Sequence, residues 1–193
     1  WPSAIERDGA SGQYYLLIFL PGQPGLNWRN PEVRAAMLDV LRFWLARGVD
    51  GVRIDALHNV MKDPELRDNP ENHADHLLTH RTHGLEFDRQ HHLYEFDHDD
   101  NHEVARVMRA VLDEFEAERP RVAIGELHIF DLERWSRYYG EGLDELHLPF
   151  NFGLLNTPWE AGQVRALVNA LEAAIPPGRW PNHLLRNHHE PRI

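Results

Sequence analysis

The chain has 193 residues, 42% hydrophobic and 26% charged, a balance that supports one sizeable core and excludes disorder and a collagen-like repeat. Its 20 basic side chains against 31 acidic ones leave a net charge of -11, so nucleic acid and anionic membranes would be repelled rather than gathered. With no cysteine, thiol catalysis, thiolate metal sites and disulfides are excluded together. No apolar run approaches the roughly 20 residues of a membrane span. The sequence opens Trp1-Pro2-Ser3 without an initiator Met, so both ends are read as artificial.

In chain order, Tyr14 to Phe19 is a short, wholly apolar run of the kind found in a strand buried on both faces. A Pro/Gly loop from Pro21 to Trp28 follows. Asn30 as N-cap, Pro31 at the first helical position and Val33, Met37, Leu41, Trp44 and Leu45 at helical spacing predict an amphipathic helix that stops at Gly48. Val49 to Asp55 reads as a strand, Asn101 to Glu118 as a helix, and Arg121 to Gly125 as another strand. Leu132 to Tyr139 and Val164 to Ile175 are predicted helices. Glu145 to Phe150 and His183 to Asn187 are the remaining strand candidates.

Strands alternating with helices predict a parallel sheet, either doubly wound or a barrel. The placement of carboxylates decides between them. No phosphate-cradling glycine motif follows the first strand, whereas Asp55 closes Gly-Val-Arg-Ile-Asp and Glu126 closes Val-Ala-Ile-Gly-Glu. Functional groups at the C-terminal ends of successive strands are the pattern of a (β/α)8 barrel. A whole barrel takes about 250 residues, so the expected architecture is a partial TIM barrel spanning residues 1–193. Residues 56–101, with no clear period and eight of the 14 histidines, read as a long loop insertion after the strand ending at Asp55.

Side chains alternate along a strand, so Arg53 and Asp55 share a face, and the guanidinium would hold Asp55 ionised. Glu126 follows the apolar Ile124-Gly125 and is expected to keep a raised pKa. Two carboxylates so placed are the minimum for cleaving a glycosidic bond, one as nucleophile and one as acid. Arg-x-Asp alone is a weak pattern, and on that spacing by itself a structural ion pair beside an exposed Glu126 is the favoured reading.

The surrounding residues resemble a known family. Gly51-Val52-Arg53-Ile54-Asp55-Ala56, Ile124-Gly125-Glu126 and Asn187-His188-His189-Glu190-Pro191-Arg192 are similar to the nucleophile, acid/base and Asn-His-Asp segments of the α-amylase family of glycoside hydrolases (glycoside hydrolase family 13). Gly12-Gln13-Tyr14-Tyr15, Leu26 to Pro31, Lys62 to Pro70 and Leu148 to Phe152 resemble bacterial α-glucosidases and oligo-glucosidases within it. The resemblance implies a catalytic barrel with Asp55 as nucleophile and Glu126 as acid/base. Arg53 and His188 would contact the nucleophile and the sugar. It also implies that the first strands, the last strand and a C-terminal β domain lie outside this sequence. Two positions depart from the pattern: His189 stands where the family carries its third, sugar-gripping carboxylate, and Arg186 where Gly is usual.

The resemblance thus implies a retaining α-glucosidase of carbohydrate metabolism acting on a small α-glucoside or oligosaccharide. It implies no cofactor, no nucleic-acid or membrane partner, a cytoplasmic location, and no particular oligomeric state. Ala56, small where relatives favouring α-1,6 bonds carry Val, leans toward α-1,4 linkages. Two alternatives stand beside it: a transglycosylase acting on sucrose or maltose, and a non-catalytic sugar-binding relative, which His189 favours. His73, His76, His80 and His83 fall at helical offsets but lack a His-Glu-x-x-His pattern, so a solvated face is expected there rather than a metal site. Asp97 to Asn101 lacks the Gly and terminal Glu of a calcium loop, and Asp100 and Glu103 are expected to cap the next helix. Trp44 and Trp135 are expected in the core, and packing is favoured over sugar stacking for Trp28, Phe150 and Phe152.

Overall fold

The computed structural model describes residues 5–17, 20, 22–73 and 89–187. Strand β1 (Ile5–Arg7) and β2 (Tyr14–Leu16) form a small antiparallel hairpin, followed by helix α1 (Pro31–Leu45). A parallel sheet is then built from β3 (Gly51–Ile54), β4 (Val122–Gly125) and β5 (Leu148–Pro149), with β4 in the middle. Helix α2 (Asn101–Asp113) lies between β3 and β4 in sequence, and α3 (Leu132–Ser136), continued by a 3₁₀ turn over Arg137–Tyr139, between β4 and β5. The short α4 (Gly153–Asn156) and longer α5 (Ala161–Ala174) follow.

Helix α1 starts as its sequence dictates: Asn30 Oδ1 accepts the Glu32 N–H at 2.9 Å, with Pro31 in the first turn. At the other end Gly48 adopts φ 94°, open to a residue without a Cβ. Leu45 is fully buried, while Met37, Leu38 and Leu41 pack against the core formed with α2. That core centres on Leu57, Val104, Leu112, Ala123, Trp135 and Leu146, where each fully buried aliphatic side chain contributes about 1.5–3 kcal/mol. Gly51 lets β3 and β4 close up, because a Cβ there would lie 2.5 Å from the Val122 carbonyl oxygen.

Several expectations are corrected. The apolar run at Tyr14 is a hairpin strand with Tyr14 70% accessible and Tyr15 and Leu16 half-buried, rather than a strand buried on both faces; residues 18 and 19 lie outside the described residues. Trp44 is 51% exposed, because the buried stripe of α1 runs through Met37, Leu41 and Leu45 and leaves Trp44 beside it. Trp135, Trp28 and Phe152 are buried as expected. Asp100 stands at the N-cap position of α2, but neither its side chain nor that of Glu103 makes a cap hydrogen bond: Asp100 pairs with Arg29 at 2.6 Å and Glu103 with Arg34 at 2.5 Å. His183 makes an isolated parallel bridge with Asn151 in place of a strand.

Both described ends of the 56–101 segment are built into the core. Leu57, His58 and Asn59 form a buried 3₁₀ turn, and the Asn101 side chain clamps that end to α2 by accepting from Met61 N–H and donating to the His58 carbonyl. Asp97 accepts from Tyr138 Oη at 2.7 Å and Arg134 Nε at 2.6 Å, and buried Glu145 pairs with His102 and Arg106. Buried charges are tolerated when paired and hydrogen-bonded in this way. His76, His80 and His83 lie outside the described residues, and exposed His73 stands 3.7 Å from Glu71. Among the described residues there is no cluster of three or more potential metal ligands, and no helix long and apolar enough to cross a membrane.

Candidate active site at the strand ends

The register of β3 and β4 pairs Ile54 with Gly125, which places Asp55 and Glu126 side by side one residue beyond the sheet. Main-chain bonds continue past the strands: Glu126 N–H donates to the Ile54 carbonyl at 2.9 Å, and Leu57 N–H to the Glu126 carbonyl at 3.2 Å. Arg53 points to the same face and joins the two carboxylates, with Nη1 on Asp55 Oδ1 and Nη2 on Glu126 Oε2, both at 2.6 Å. Asp55 is open to solvent, with 76% of its side chain accessible, whereas Glu126 is almost covered.

Ala56 adopts the left-handed conformation, φ 42° and ψ 43°, which costs a residue with a Cβ about 1 kcal/mol. Its N–H donates to Glu126 Oε2 at 3.2 Å. Strand β5 brings Phe150 to the same end: its N–H donates to the Gly125 carbonyl, and its ring lies 5.9 Å from the Arg53 guanidinium. Gly125 allows this crowding, since a Cβ there would meet Leu146 Cδ1 at 2.3 Å.

Charge is divided between the carboxyls contrary to the sequence expectation. Burial pushes Glu126 up, but hydrogen bonds from His128, Asp55 and the Ala56 N–H, with the Arg53 charge, outweigh it and hold Glu126 below the usual carboxylate range. Asp55 is raised, chiefly by its hydrogen bond with Glu126, then by burial and the Glu126 charge, against the opposing pull of Arg53. Sequence alone assigned Arg53 to Asp55; in the fold Arg53 is shared, and Glu126 collects the additional donors. The two carboxyls titrate as one coupled pair, with the Arg53 guanidinium common to both.

Two neighbours of Glu126 escaped sequence reasoning. His128 Nε2 lies 3.4 Å from Glu126 Oε1 with its ring stacked on Phe152, and His58 Nδ1 is 3.2 Å from the Glu126 carbonyl. The only signal for His128 was strand-like alternation, which puts it two residues beyond Glu126. His58 follows Asp55 by three residues and had no signal. His188 and His189 lie outside the described residues, while Arg186 is exposed.

Residues 2–193 match the family "Alpha amylase, catalytic domain". A probable alpha-glucosidase from Rhizobium meliloti is 36% identical over 96% of this chain and 34% of its own length. Maltase 1 from Drosophila virilis is 33% identical over 100% of this chain and 30% of its own. Among solved structures, the alpha-glucosyl transfer enzyme XgtA superposes with a TM-score of 0.78 at 35% identity, covering 92% of this chain and 32% of that one. The chain thus spans about a third of the length of the curated relatives it matches. It belongs to the alpha-amylase catalytic-domain family, and its three-stranded parallel sheet with intervening helices is part of a (β/α)8 barrel.

Proposed function

We propose that residues 1–193 are a section of the catalytic barrel of a retaining α-glucosidase that hydrolyses small α-glucosides. Asp55 is the nucleophile, Glu126 the acid/base, and Arg53 the cation that orients both. His188 and His189 are assigned by their sequence segment to contact with the sugar. The observation that carries this reading is the meeting of Asp55 and Glu126 on one guanidinium at the carboxyl ends of paired parallel strands. The similarity to enzymes named as alpha-glucosidase and maltase supports the substrate class.

For retaining chemistry the charge must sit on Asp55 and the proton on Glu126. A glycosidic oxygen arriving between them meets both carboxyls, which the shared Arg53 guanidinium holds side by side. Asp55 Oδ then attacks the anomeric carbon as the bond to the leaving oxygen breaks, and Glu126 protonates that oxygen. Glu126, now ionised, takes a proton from water as the water displaces Asp55. The reaction closes without an organic cofactor. Ala56 leaves space next to the nucleophile, which favours α-1,4 bonds in this reading. Transfer of the glucosyl group to a sugar hydroxyl in place of water is the second reading, favoured by the likeness to the alpha-glucosyl transfer enzyme.

The test is to trap the glycosyl ester. A chain carrying the complete barrel, treated with a 2-fluoro-glucosyl fluoride of α configuration, should gain one fluoroglucosyl mass on the peptide containing Asp55. Asp55→Asn should gain none and lose turnover of an aryl α-glucoside. Label on any other carboxylate refutes the assignment.

A further inference from the structure

Glu126 presents its two oxygens to different partners. Oε2 meets Arg53 Nη2 and the Ala56 N–H, whereas Oε1 faces His128 Nε2 at 3.4 Å. The His128 ring lies parallel to the Phe152 ring at 11° and 4.2 Å between centroids, and on another side it meets His58 at 5.4 Å. Phe152 is 3% exposed and is itself braced edge-on by Phe150. A ring held on both sides has little freedom to turn away, so its Nε2 stays beside Oε1.

We propose that His128 is a positioning residue for the acid/base carboxyl: seated on Phe152, its Nε2–H holds Oε1 of Glu126 and turns Oε2 toward Asp55 and the bond to be cleaved. The proposal rests on the functional reading only for what Oε2 then does; the contact itself stands without it. A donor to the ionised carboxyl favours the charged form, so His128 also sets how readily Glu126 takes up and releases its proton. Among the described residues, the other charged or titratable groups facing this carboxyl are Arg53 and Asp55 from the end of β3, with His58 from the 3₁₀ turn behind its main chain. The stretch from Phe150 to Thr157, which supplies Phe152, carries no titratable side chain. His58 accepts from Asn59 Nδ2 and donates through Nδ1 to the Glu126 carbonyl, so it anchors backbone while His128 anchors the side chain.

The test reads the carboxyl directly. In the 193-residue chain with ¹³C-labelled glutamate, His128→Phe keeps a ring on Phe152 but removes the donor, and the Glu126 titration midpoint should rise by about one pH unit. His128→Gln, which restores an N–H, should recover most of that shift. An unmoved midpoint in His128→Phe overturns the proposal. Should that variant not fold, the unaltered chain answers: the ¹⁵Nε2 resonance of His128 should inflect at the Glu126 midpoint, and its failure to do so overturns the proposal equally. In the complete barrel, the alkaline limb of kcat/KM should move upward with the midpoint in His128→Phe. A shifted midpoint with an unmoved limb supports the His128 contact and refutes Glu126 as the acid, so the two readings fail separately.

Discussion

Arg53 lies within β3, and Asp55 and Glu126 stand one residue beyond β3 and β4. Gly125 lets Leu146 press against β4, and the backbone then delivers Glu126 to the guanidinium that Asp55 already holds. If Glu126 is the acid, its loss matters only where the leaving group needs a proton. Glu126→Gln in a complete barrel should slow cleavage of an unactivated α-glucoside by about 10² to 10⁴ while sparing one with a nitrophenolate leaving group. Equal losses, measured as kcat/KM on both substrates, refute the role. His189 gives the complementary test. A neutral imidazole accepts one hydrogen bond and a charged one none, so it cannot grip two sugar hydroxyls as a carboxylate does. His189→Asp should raise kcat/KM for an α-glucoside by about 10² to 10⁴, or roughly 3 to 5 kcal/mol of transition-state stabilisation. A gain below about threefold places His189 away from the sugar.

Helix α1 was legible because its apolar residues recur at the helical period between clear start and stop signals, α2 by the same period although it ends at Asp113 rather than Glu118 for want of a stop signal, and β3 and β4 because each is an apolar run closed by a carboxylate. Strand β2 was misread for want of context, since Tyr14 to Leu16 has the composition of a buried strand but only a three-residue partner in β1. The site was half legible in the same sense: alternation put Arg53 beside Asp55, but the register that brings Glu126 to the same guanidinium depends on a pairing 73 residues apart. Strand β5 is two residues long and is extended by a side chain, which no periodicity reveals. His147 Nδ1 accepts the Ala123 N–H at 3.0 Å while His147 N–H donates to the Ala123 carbonyl, so the imidazole takes the place of a ladder acceptor. Burial, with the Arg109 and Arg179 charges, pushes His147 down to about 4. Because the folded value lies below the unfolded one of about 6.5, this contribution is complete above pH 6.5 and declines as pH falls toward 4. Allowing for its partial exposure, about 1–2 kcal/mol is at stake. Urea unfolding at pH 7 and pH 4.5 should therefore show a smaller difference in His147→Gln than in the unaltered chain; an equal difference removes His147 from the account.

At the scale of the whole molecule, the three-stranded sheet leaves the outer edge of β3 without a partner strand among the described residues, and α1 turns an apolar face outward. Val40, Phe43 and Trp44, at positions i, i+3 and i+4 of α1, are each about half exposed, with Phe43 and Trp44 edge-on at 5.3 Å and the Arg47 guanidinium over Phe43. In a closed barrel a sheet edge is paired and such a helix face is covered by the neighbouring unit. Pairing this face with its copy would bury about 500 Å² of apolar surface over two chains, worth about 12 kcal/mol at 25 cal/mol/Å². Association itself costs about 4–15 kcal/mol, so the balance permits contact in the micromolar range or weaker, not a tight dimer. The 193-residue chain should accordingly show concentration-dependent sedimentation at micromolar to submillimolar concentrations. The double variant Phe43→Glu/Trp44→Glu, which sets like charges against each other across the contact, should sediment as a monomer over the same range with its helical content retained. A sharp, concentration-independent monomeric unfolding transition in the unaltered chain would mean that the exposed α1 face and the β3 edge are satisfied within one copy, and the partial barrel is then self-sufficient.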